Sequence, residues 1–180
     1  MSAVRRLQLS VVGLVATVAL AAPAAAQAPA ATFQVTGDVN NPLTLTTADL
    51  AKLPQHKVRV KFLSGSSKER HTYRGPYLYD VVTQAQPDFD PDIKNDKLRF
   101  YVSATGADGY AAIVSWGEID PDFGARKILL AVSEDGRSLA ADGPRLVVPR
   151  DKRGGRYVSN VISIRVGDSD AEIDGEQAGP

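Results

Sequence analysis

The amino-acid sequence predicts an α+β fold in which mixed β-sheet predominates and helices are few and short. Segments with apolar residues at every second position are bounded by Gly, Pro, Asn and Asp, and they outnumber the segments with helical spacing. Their order is mixed rather than a strict alternation of strand and helix, which argues against a doubly wound sheet. Residues 33–166 have the length of one domain and can bury about two-thirds of their unfolded surface.

The first half of this domain contains both predicted helices. Residues 57–62 alternate Lys, Arg and Lys with Val, Val and Phe, which predicts a strand with one basic and one apolar face. A polar loop is expected over residues 64–74, and apolar residues at helical spacing after Pro76 predict a helix. The other elements predicted here are strands over 33–39 and 43–45 and a capped helix over 48–53, ended by Pro54.

The second half of the domain is predicted to be strands joined by turns. Trp116 is expected in the core or at its edge. From Gly167 the chain has five acids and no bases, so residues 167–180 are predicted to be a disordered acidic tail. The predicted strands cover 98–104, 110–116, 128–133, 145–149 and 157–166, with turns at 106–109, 120–122 and 134–136.

The first 26 residues have the three parts of a signal peptide. Arg5 and Arg6 form a positive start, residues 7–22 are apolar, and Ala24-Ala25-Ala26 is a small-residue cleavage site. The alternative is an uncleaved membrane anchor, which the short, Ala-rich apolar stretch disfavours. Export to the periplasm or the exterior is therefore predicted, with residues 27–32 as a linker and no membrane span in the mature chain.

Charge and cysteine content exclude several classes of function. Removing the signal peptide takes away two of the 21 bases and none of the 21 acids, so the mature net charge is −2. A nucleic-acid-binding protein would normally be basic, so nucleic acid is not an expected partner. The sequence has no cysteine, which excludes thiolate nucleophiles, thiolate metal ligands and redox pairs, and it has only two histidines.

Positive charge is concentrated in two segments, which hold 11 of the 19 mature bases. Arginines beside Gly154 and Gly155 suit an anion such as phosphate, because guanidinium groups and glycine backbone N–H groups can both donate to it. The alternative is that both clusters are ordinary solvated surfaces. The first cluster comprises Lys57, Arg59, Lys61, Lys68, Arg70 and Arg74, and the second comprises Arg145, Arg150, Lys152, Arg153 and Arg156.

Standard catalytic motifs are absent from the sequence. It has no Gly-x-Ser-x-Gly elbow, no P-loop, no dinucleotide fingerprint and no His-Glu-x-x-His. The acids at positions 88, 90, 92 and 96 resemble a calcium loop in composition only, because prolines interrupt them and no terminal glutamate follows.

Several motifs in a consistent order nevertheless resemble one known family, the sulfite oxidase-type molybdopterin-binding domains, and especially their small exported relatives. The resemblance covers nearly the whole domain and implies a mostly β, mixed-sheet fold that cradles a molybdenum-pterin cofactor. The motifs that carry it are residues 33–39 (FQVTGDV), 73–82 (YRGPYLYDVV), 107–110 (ADGY), 128–131 (ILLA), 143–149 (GPRLVVP) and 155–158 (GRYV).

The resemblance also assigns cofactor-binding candidates. Arg145 matches the arginine of the family's Arg-x-x-x-Pro strand near the cofactor, and Lys152, Arg153 and Arg156 follow in the next loop. Family enzymes hold molybdenum through a cysteine on the loop after the strand equivalent to 57–62. Ser64 lies near that place here, and its alkoxide could bind a hard metal but lacks the softness of a thiolate.

Three hypotheses follow for function. The first is an exported binding module that has lost the cysteine-ligated redox centre and binds an anionic small molecule or a protein partner. The second is an active molybdenum-pterin oxidoreductase with a non-cysteine ligand, and the third is a structural domain without a ligand. The presence of a bound molybdenum-pterin cofactor and its absence are equally compatible with the sequence. A protein that carries this cofactor out of the cytoplasm has to be exported folded. Arg5-Arg6 fits the twin-arginine route for folded proteins, whereas Gln8 stands where that motif usually has an apolar residue.

Overall fold

The computed structural model describes residues 31–169, which contain eleven strands and three short α-helices. The predicted signal peptide and most of the predicted tail lie outside the described residues. The strands, labelled β1 to β11 in chain order, form three sheets. The five-stranded sheet comprises β1 Thr32–Gly37, β2 Leu43–Thr46, β5 Phe100–Gly106, β6 Ala111–Ser115 and β11 Val161–Asp168.

Three isolated single-residue bridges add to the pairing of these eleven strands. The bridges join Val39 to Pro87, Leu63 to Arg153 and Tyr77 to Leu129. A second, four-stranded sheet comprises β3 His56–Ser64, β4 Ser67–Gly75, β8 Ser133–Glu134 and β9 Arg137–Ser138, and a two-stranded sheet comprises β7 Leu129–Ala131 and β10 Arg145–Val147.

The helices within residues 31–169 are short and lie between the strands. Thr46 caps the first helix, because its hydroxyl accepts from the Asp49 N–H at 3.1 Å while the Asp49 carboxylate accepts from the Thr46 N–H. The α-helices are α1 Thr47–Lys52, α2 Leu78–Val82 and α3 Trp116–Ile119, and the 3-10 turns are Thr83–Ala85, Asp96–Arg99 and Gly154–Arg156.

The sheet topology confirms the predicted mixed-sheet α+β class. The five-stranded sheet has the order β2-β1-β11-β5-β6, and β1 and β11 are parallel while the other neighbours are antiparallel. The four-stranded sheet has the order β3-β4-β8-β9. No helix within residues 31–169 is long and apolar enough to span a membrane.

The alternating sequence pattern accounts for the larger of the two cores. Phe33 and Val35 of β1 point inward and are buried, while Thr32 and Gln34 on the other face are exposed. The larger core lies against the five-stranded sheet and includes Trp116, which is buried as predicted. A smaller core under the β3–β4 hairpin supports the site described below, and its buried residues are Val60, Phe62, Tyr73, Leu129, Ala131 and Val147.

The prediction of a polar loop over residues 64–74 is wrong. Ser67–Gly75 forms β4, which pairs with β3 in unbroken register from His56 opposite Gly75 to Ser64 opposite Ser67. Only Tyr73 and Gly75 of this strand are buried, so its sequence has no apolar alternation to reveal it. This segment is a strand because it pairs with β3 and because Tyr73 packs in the core. Local propensity does not reveal either of these contacts.

The other predicted boundaries differ by a few residues. The strand predicted over 98–104 runs from 100 to 106, and the one predicted over 110–116 ends at Ser115, where α3 begins. The last strand, predicted over 157–166, begins at Val161 and continues through Gly167 and Asp168, which pair with β5. Two residues assigned to the tail therefore belong to the sheet.

Candidate functional site

A cleft of about 700 Å³ lies between the inner face of the β3–β4 hairpin and the loop that follows β10. Its floor is aromatic, because Tyr157 packs on Phe62 with ring centroids 4.3 Å apart and Tyr73 lies 6.2 Å from Tyr157. Charged and polar side chains stand around this floor. They are Ser64, Glu69, His71, Glu134, Arg145, Arg153 and Ser159.

The β3–β4 register determines which side chains enter the cleft. Residues directly opposite each other share a face, so Val60 and His71 lie on the inner side, as do Phe62 and Glu69. The loop after β10 is held against this hairpin by the Leu63 N–H, which donates to the Lys152 carbonyl at 2.9 Å. The cleft is therefore built from two segments that are far apart in sequence.

Gly154 permits the close approach of this loop. A Cβ at Gly154 would lie 2.8 Å from the Phe62 ring, which is closer than real Cβ contacts. A Cβ at the neighbouring Gly155 would have only the Tyr110 hydroxyl within 4 Å, so this side of the loop is open. Of the two glycines predicted to lie beside an anion, Gly154 packs against Phe62 and Gly155 faces open space.

Arg145 is fixed in the cleft by three hydrogen bonds. Its guanidinium group donates to Glu134 at 2.8 Å, to the Tyr73 hydroxyl at 3.1 Å and to the Ser159 hydroxyl at 2.6 Å. The positive charge of Arg145 is therefore compensated by Glu134, and its plane is held in one orientation. Arg145 shapes the cleft rather than adding a free charge to it.

Three carboxylates surround His71 on the opposite side of the cleft. Its Nδ1 lies 2.8 Å from Asp135 and 3.2 Å from Glu134, and its Nε2 lies 3.6 Å from Glu69. Hydrogen bonds from the Thr72 N–H and from His71 lower the pKa of Asp135 below its ordinary value. His71, Glu134 and Asp135 place three ligand atoms within 4.8 Å of one another, so they are the described residues best placed to hold a metal through nitrogen and oxygen.

Sequence reasoning missed this acidic side of the cleft. Glu69 and His71 lie in the segment predicted to be a loop, and Glu134 was assigned to a turn. The signal that could have found them is the alternation of Glu69, His71 and Tyr73 at every second residue, which is the spacing of one strand face.

Two tyrosine hydroxyls lie in the floor of the cleft with different surroundings. Tyr73 donates to Glu134 at 2.8 Å, and burial followed by this carboxylate raises its pKa. Burial raises the pKa of Tyr157 to about 12, and its buried hydroxyl has no hydrogen-bond partner among residues 31–169. A buried hydroxyl without a partner is costly, so the Tyr157 hydroxyl favours a polar group, such as water, beside it in the floor of the cleft.

Arg150, Lys152 and Arg153 are the uncompensated cations of this region. All three are exposed, and none forms an ion pair with any described residue. Arg153 lines the cleft and also an adjoining one of about 810 Å³, to which Lys152 contributes. An anion in the cleft would therefore meet Arg153 as its free charged partner.

Arg156 has a different environment, in an ion network at the edge of the adjoining cleft. Its guanidinium group donates twice to Asp151 at 2.8 Å and lies 3.2 Å from Glu118. Arg126 joins the same two acids, at 3.1 Å from Glu118 and 3.4 Å from Asp151. The hydrogen bonds with Asp151 raise the pKa of Arg156. This network ties α3 to the loop after β10.

The structure thus divides the residues predicted to form the cofactor-binding site. It brings Ser64, Arg145 and Arg153 into one cleft, with Ser64 exposed at the β3–β4 turn. Lys152 and Arg156 line the adjoining cleft instead. The two groups meet at Arg153 and Gly155, which line both.

The ion network predicts that Arg156→Ala destabilises the domain by about 1–3 kcal/mol, because Asp151 would keep only the longer contact with Arg126. Urea unfolding followed by circular dichroism measures this loss. Lys152→Ala, which removes an exposed and unpaired cation from the same loop, is the control and should change stability by less than about 0.5 kcal/mol. Equal losses for the two variants would contradict the role assigned to the network.

Comparisons with known proteins agree with the resemblance stated above. The family model described as "Oxidoreductase molybdopterin binding domain" matches residues 19–173. The crystal structure of the sulfane dehydrogenase SoxCD from Paracoccus pantotrophus is similar in fold, with a TM-score of 0.60 and 20% sequence identity. The match covers 77% of this chain but only 38% of that one. No curated protein sequence matches the chain.

Proposed function

This chain belongs to the oxidoreductase molybdopterin-binding domain family, and we propose that it is an exported binding module of that family whose cleft takes an anionic small molecule. The observation that supports the proposal is the donor set of the cleft. Arg153 is an uncompensated cation there, while Ser64 stands near the position where the resemblance leads us to expect a cysteine. The fold is kept, and the thiolate on which the family's redox chemistry depends is missing.

The side chains of the cleft do not fit a molybdenum centre held by sulfur. The sequence has no cysteine, so the protein donors in the cleft are oxygen and nitrogen atoms of Ser64, Glu69, His71 and Glu134. These are hard or borderline ligands, whereas a thiolate is soft and strongly electron-donating. No redox step is therefore assigned to these residues.

The distribution of charge suggests which ligand would fit. Arg153 and the open side of Gly155 favour an anionic group at one end of the cleft, and the carboxylates Glu69 and Glu134 favour hydrogen-bond donors at the other. The aromatic floor between them suits a flat ring, and the Tyr157 hydroxyl supplies a polar contact. An anionic molecule with an N–H-bearing or O–H-bearing ring is the class of ligand that meets all of these groups.

Export is part of the proposal because of the first 26 residues. A chain that crosses the membrane unfolded cannot carry a preloaded pterin-metal cofactor, so it would have to find its ligand outside the cytoplasm. Export by that route favours a binding module over an enzyme loaded before export, whereas the twin-arginine route, which Arg5-Arg6 fits, favours the enzyme. This reasoning rests on the signal-peptide pattern of the sequence.

The second candidate is a molybdenum-pterin oxidoreductase with a non-cysteine ligand. It is favoured by the position of Ser64, which lines the same cleft as Arg145 and Arg153. Protein purified from the exported fraction of a host that makes the cofactor distinguishes the two candidates. The binding module should contain molybdenum and pterin far below one equivalent, whereas stoichiometric molybdenum that is lost in Ser64→Ala would establish the enzyme.

Arg153→Ala is expected to weaken anion binding with little effect on stability. Inorganic phosphate serves as the probe, titrated by NMR or calorimetry, and the dissociation constant should rise by about fivefold to tenfold on loss of one charge-assisted contact. The melting temperature should be unchanged, because Arg153 has no ion pair among the described residues. Lys94→Ala, an exposed lysine outside the cleft, is the matched control. Phosphate binding that is equally strong in both variants would refute the proposed site.

A further inference from the structure

The outer face of the β3–β4 hairpin carries a second, separate concentration of positive charge. In the β3–β4 register Lys57 lies opposite Arg74, and Lys61 lies opposite Arg70. Arg59 is paired with Thr72, and Lys68 with Leu63, so the four alternate pairs of the ladder that share this face, its rungs, each present at least one cation to solvent. We call this surface the basic face; its six exposed cations are Lys57, Arg59, Lys61, Lys68, Arg70 and Arg74.

The acids of the described part of the chain leave the basic face uncompensated. Within residues 31–169 none of its six cations forms an ion pair. Asp135 borders the face, in a groove with Lys57 and Arg74, but its two oxygens already accept from the Thr72 N–H and contact His71. Like charges directly opposite each other destabilise a sheet. The domain therefore carries a repulsion that an anionic occupant would relieve.

The spacing of the cations specifies the shape of such an occupant. Alternate residues of a strand are about 6.6–6.8 Å apart, so the rungs of the basic face repeat at that distance along the hairpin. An extended polypeptide with an acid at every second residue has the same repeat and points all its acids to one side. Four such acids would match the four rungs.

The chain itself contains a segment with this pattern. Asp170, Glu172, Asp174 and Glu176 occupy every second position after β11, with no basic residue between them. We propose that the acidic segment 170–176 of a second copy of this chain docks on the basic face. The binding would be electrostatic, with acids of one copy above the rungs of the other.

The anchoring of β11 favours a second copy over the same copy. Asp168 is held at the end of the five-stranded sheet, where its N–H donates to Asp38 at 2.7 Å and it pairs with Phe100. Val161, at the other end of β11, lies two residues from Ser159, which lines the cleft beneath the hairpin. From Val161 to Asp168 β11 is about 23 Å long, and a segment that runs back along it in the same copy has to cover that length. Seven extended residues cover the same length, so segment 170–176 of the same copy would span this distance before any of its acids reached the basic face.

A different explanation for the cations is protection of an open sheet edge. β3 is the last strand of its sheet, and lysines on edge strands discourage edge-to-edge aggregation. That explanation accounts for Lys57 and Lys61 but does not require Lys68, Arg70 and Arg74, which lie on the inner strand β4. It also predicts no affinity for an acidic segment, so the two explanations can be separated by experiment.

A labelled peptide of residues 169–180 provides the direct test. It is titrated with the whole protein carrying Asp170→Asn, Glu172→Gln, Asp174→Asn and Glu176→Gln, so that its own segments do not compete. Saturable binding is expected, weakened at least about tenfold between 0.05 and 0.5 M salt because exposed charges are screened. Adding Lys61→Glu and Arg70→Glu should abolish it, since these changes reverse one rung while keeping a like-charged pair.

Lys94→Glu is the control, because this lysine is exposed and lies outside the basic face. It should leave peptide binding within about twofold, since it removes no cation of the basic face and exposed charges elsewhere are screened by salt. A peptide with the same composition but its four acids adjacent should bind more weakly, because only the alternating peptide matches the rungs. No binding, or equal binding by the Lys61→Glu/Arg70→Glu protein, would overturn the proposal.

Sedimentation of the unaltered protein tests the requirement for a second copy. The mean mass should rise with protein concentration at low salt, and this rise should disappear at high salt and in the protein with the four neutralised acids. A monomer at all concentrations would overturn the proposal. Phosphate binding in the inner cleft should be unaffected by reversing Lys61 and Arg70, so failure here is distinguishable from failure of the proposed function.

Discussion

Replacing Trp116 with alanine is expected to lower the free energy of unfolding by about 4–5 kcal/mol, at the upper end for a buried aromatic residue. Trp116 is 1% exposed and packs edge-on against Phe89 with ring centroids 4.8 Å apart. Its indole Nε1 also donates to the buried carboxylate of Asp120 at 2.9 Å. The substitution thus leaves a cavity and removes a hydrogen bond from a buried charge, and the two costs add.

Trp116→Phe keeps an aromatic ring in the core but removes the hydrogen-bond donor together with the volume of the five-membered ring, so it should cost less than the alanine substitution. It should cost about 1–3 kcal/mol, measured by urea unfolding alongside the alanine variant. A loss below about 2 kcal/mol for Trp116→Ala would contradict the central position assigned to this side chain.

The loss on Trp116→Ala should also depend on pH through Asp120. Burial of Asp120 opposes its ionisation, but hydrogen bonds from Lys97, the Asp122 N–H and Trp116 outweigh this and lower its pKa. A carboxyl with a lowered folded pKa contributes stability above its unfolded pKa, and that contribution is lost as the pH falls through the folded value. The difference in the free energy of unfolding between the wild-type protein and the Trp116→Ala variant should therefore become smaller below about pH 4.

Gly37→Ala is expected to destabilise the domain by about 3–5 kcal/mol, or to prevent folding. Gly37 ends β1 with a φ of +98°, a conformation that side chains disfavour, and it pairs with Val166 of β11. A Cβ at this position would lie 1.9 Å from the Val166 carbonyl oxygen, so the two parallel strands at the centre of the larger sheet would have to separate.

Gly109→Ala is the matched control for Gly37→Ala. Gly109 also has a positive φ, of +80°, but a Cβ there meets nothing within 4 Å. It should cost only the backbone strain, about 1–2 kcal/mol. Thermal unfolding of the two variants measures the difference, and equal melting temperatures would show that steric contact with β11 does not decide the cost at Gly37.

Local sequence patterns predicted the elements whose side chains alternate clearly between core and solvent. Phe33 and Val35 revealed β1, and the Val58, Val60 and Phe62 alternation revealed β3, because each needs one apolar face to pack. The first helix was found from Thr46 and the apolar residues after it. Each of these signals is contained within a few neighbouring residues.

Pairing between distant segments could not be predicted in the same way. β4 is mostly polar, and its nine residues become a strand because each one lies opposite a residue of β3. The cleft depends on this strand, since it supplies Glu69, His71 and Tyr73. The charge of Arg145 looked available in the sequence, but its compensation by Glu134 follows from contact between β10 and β8.

The sequence by itself determined the mixed-sheet class, the basic and apolar faces of β3, the absence of any thiolate and the alternating acids after β11. Only the tertiary structure decided how the positive charge is divided among the cleft, the Arg156 ion network and the basic face. The reason is that composition and periodicity are local properties, whereas the charge available to a ligand depends on which acids the folded chain brings within a few ångströms of each cation.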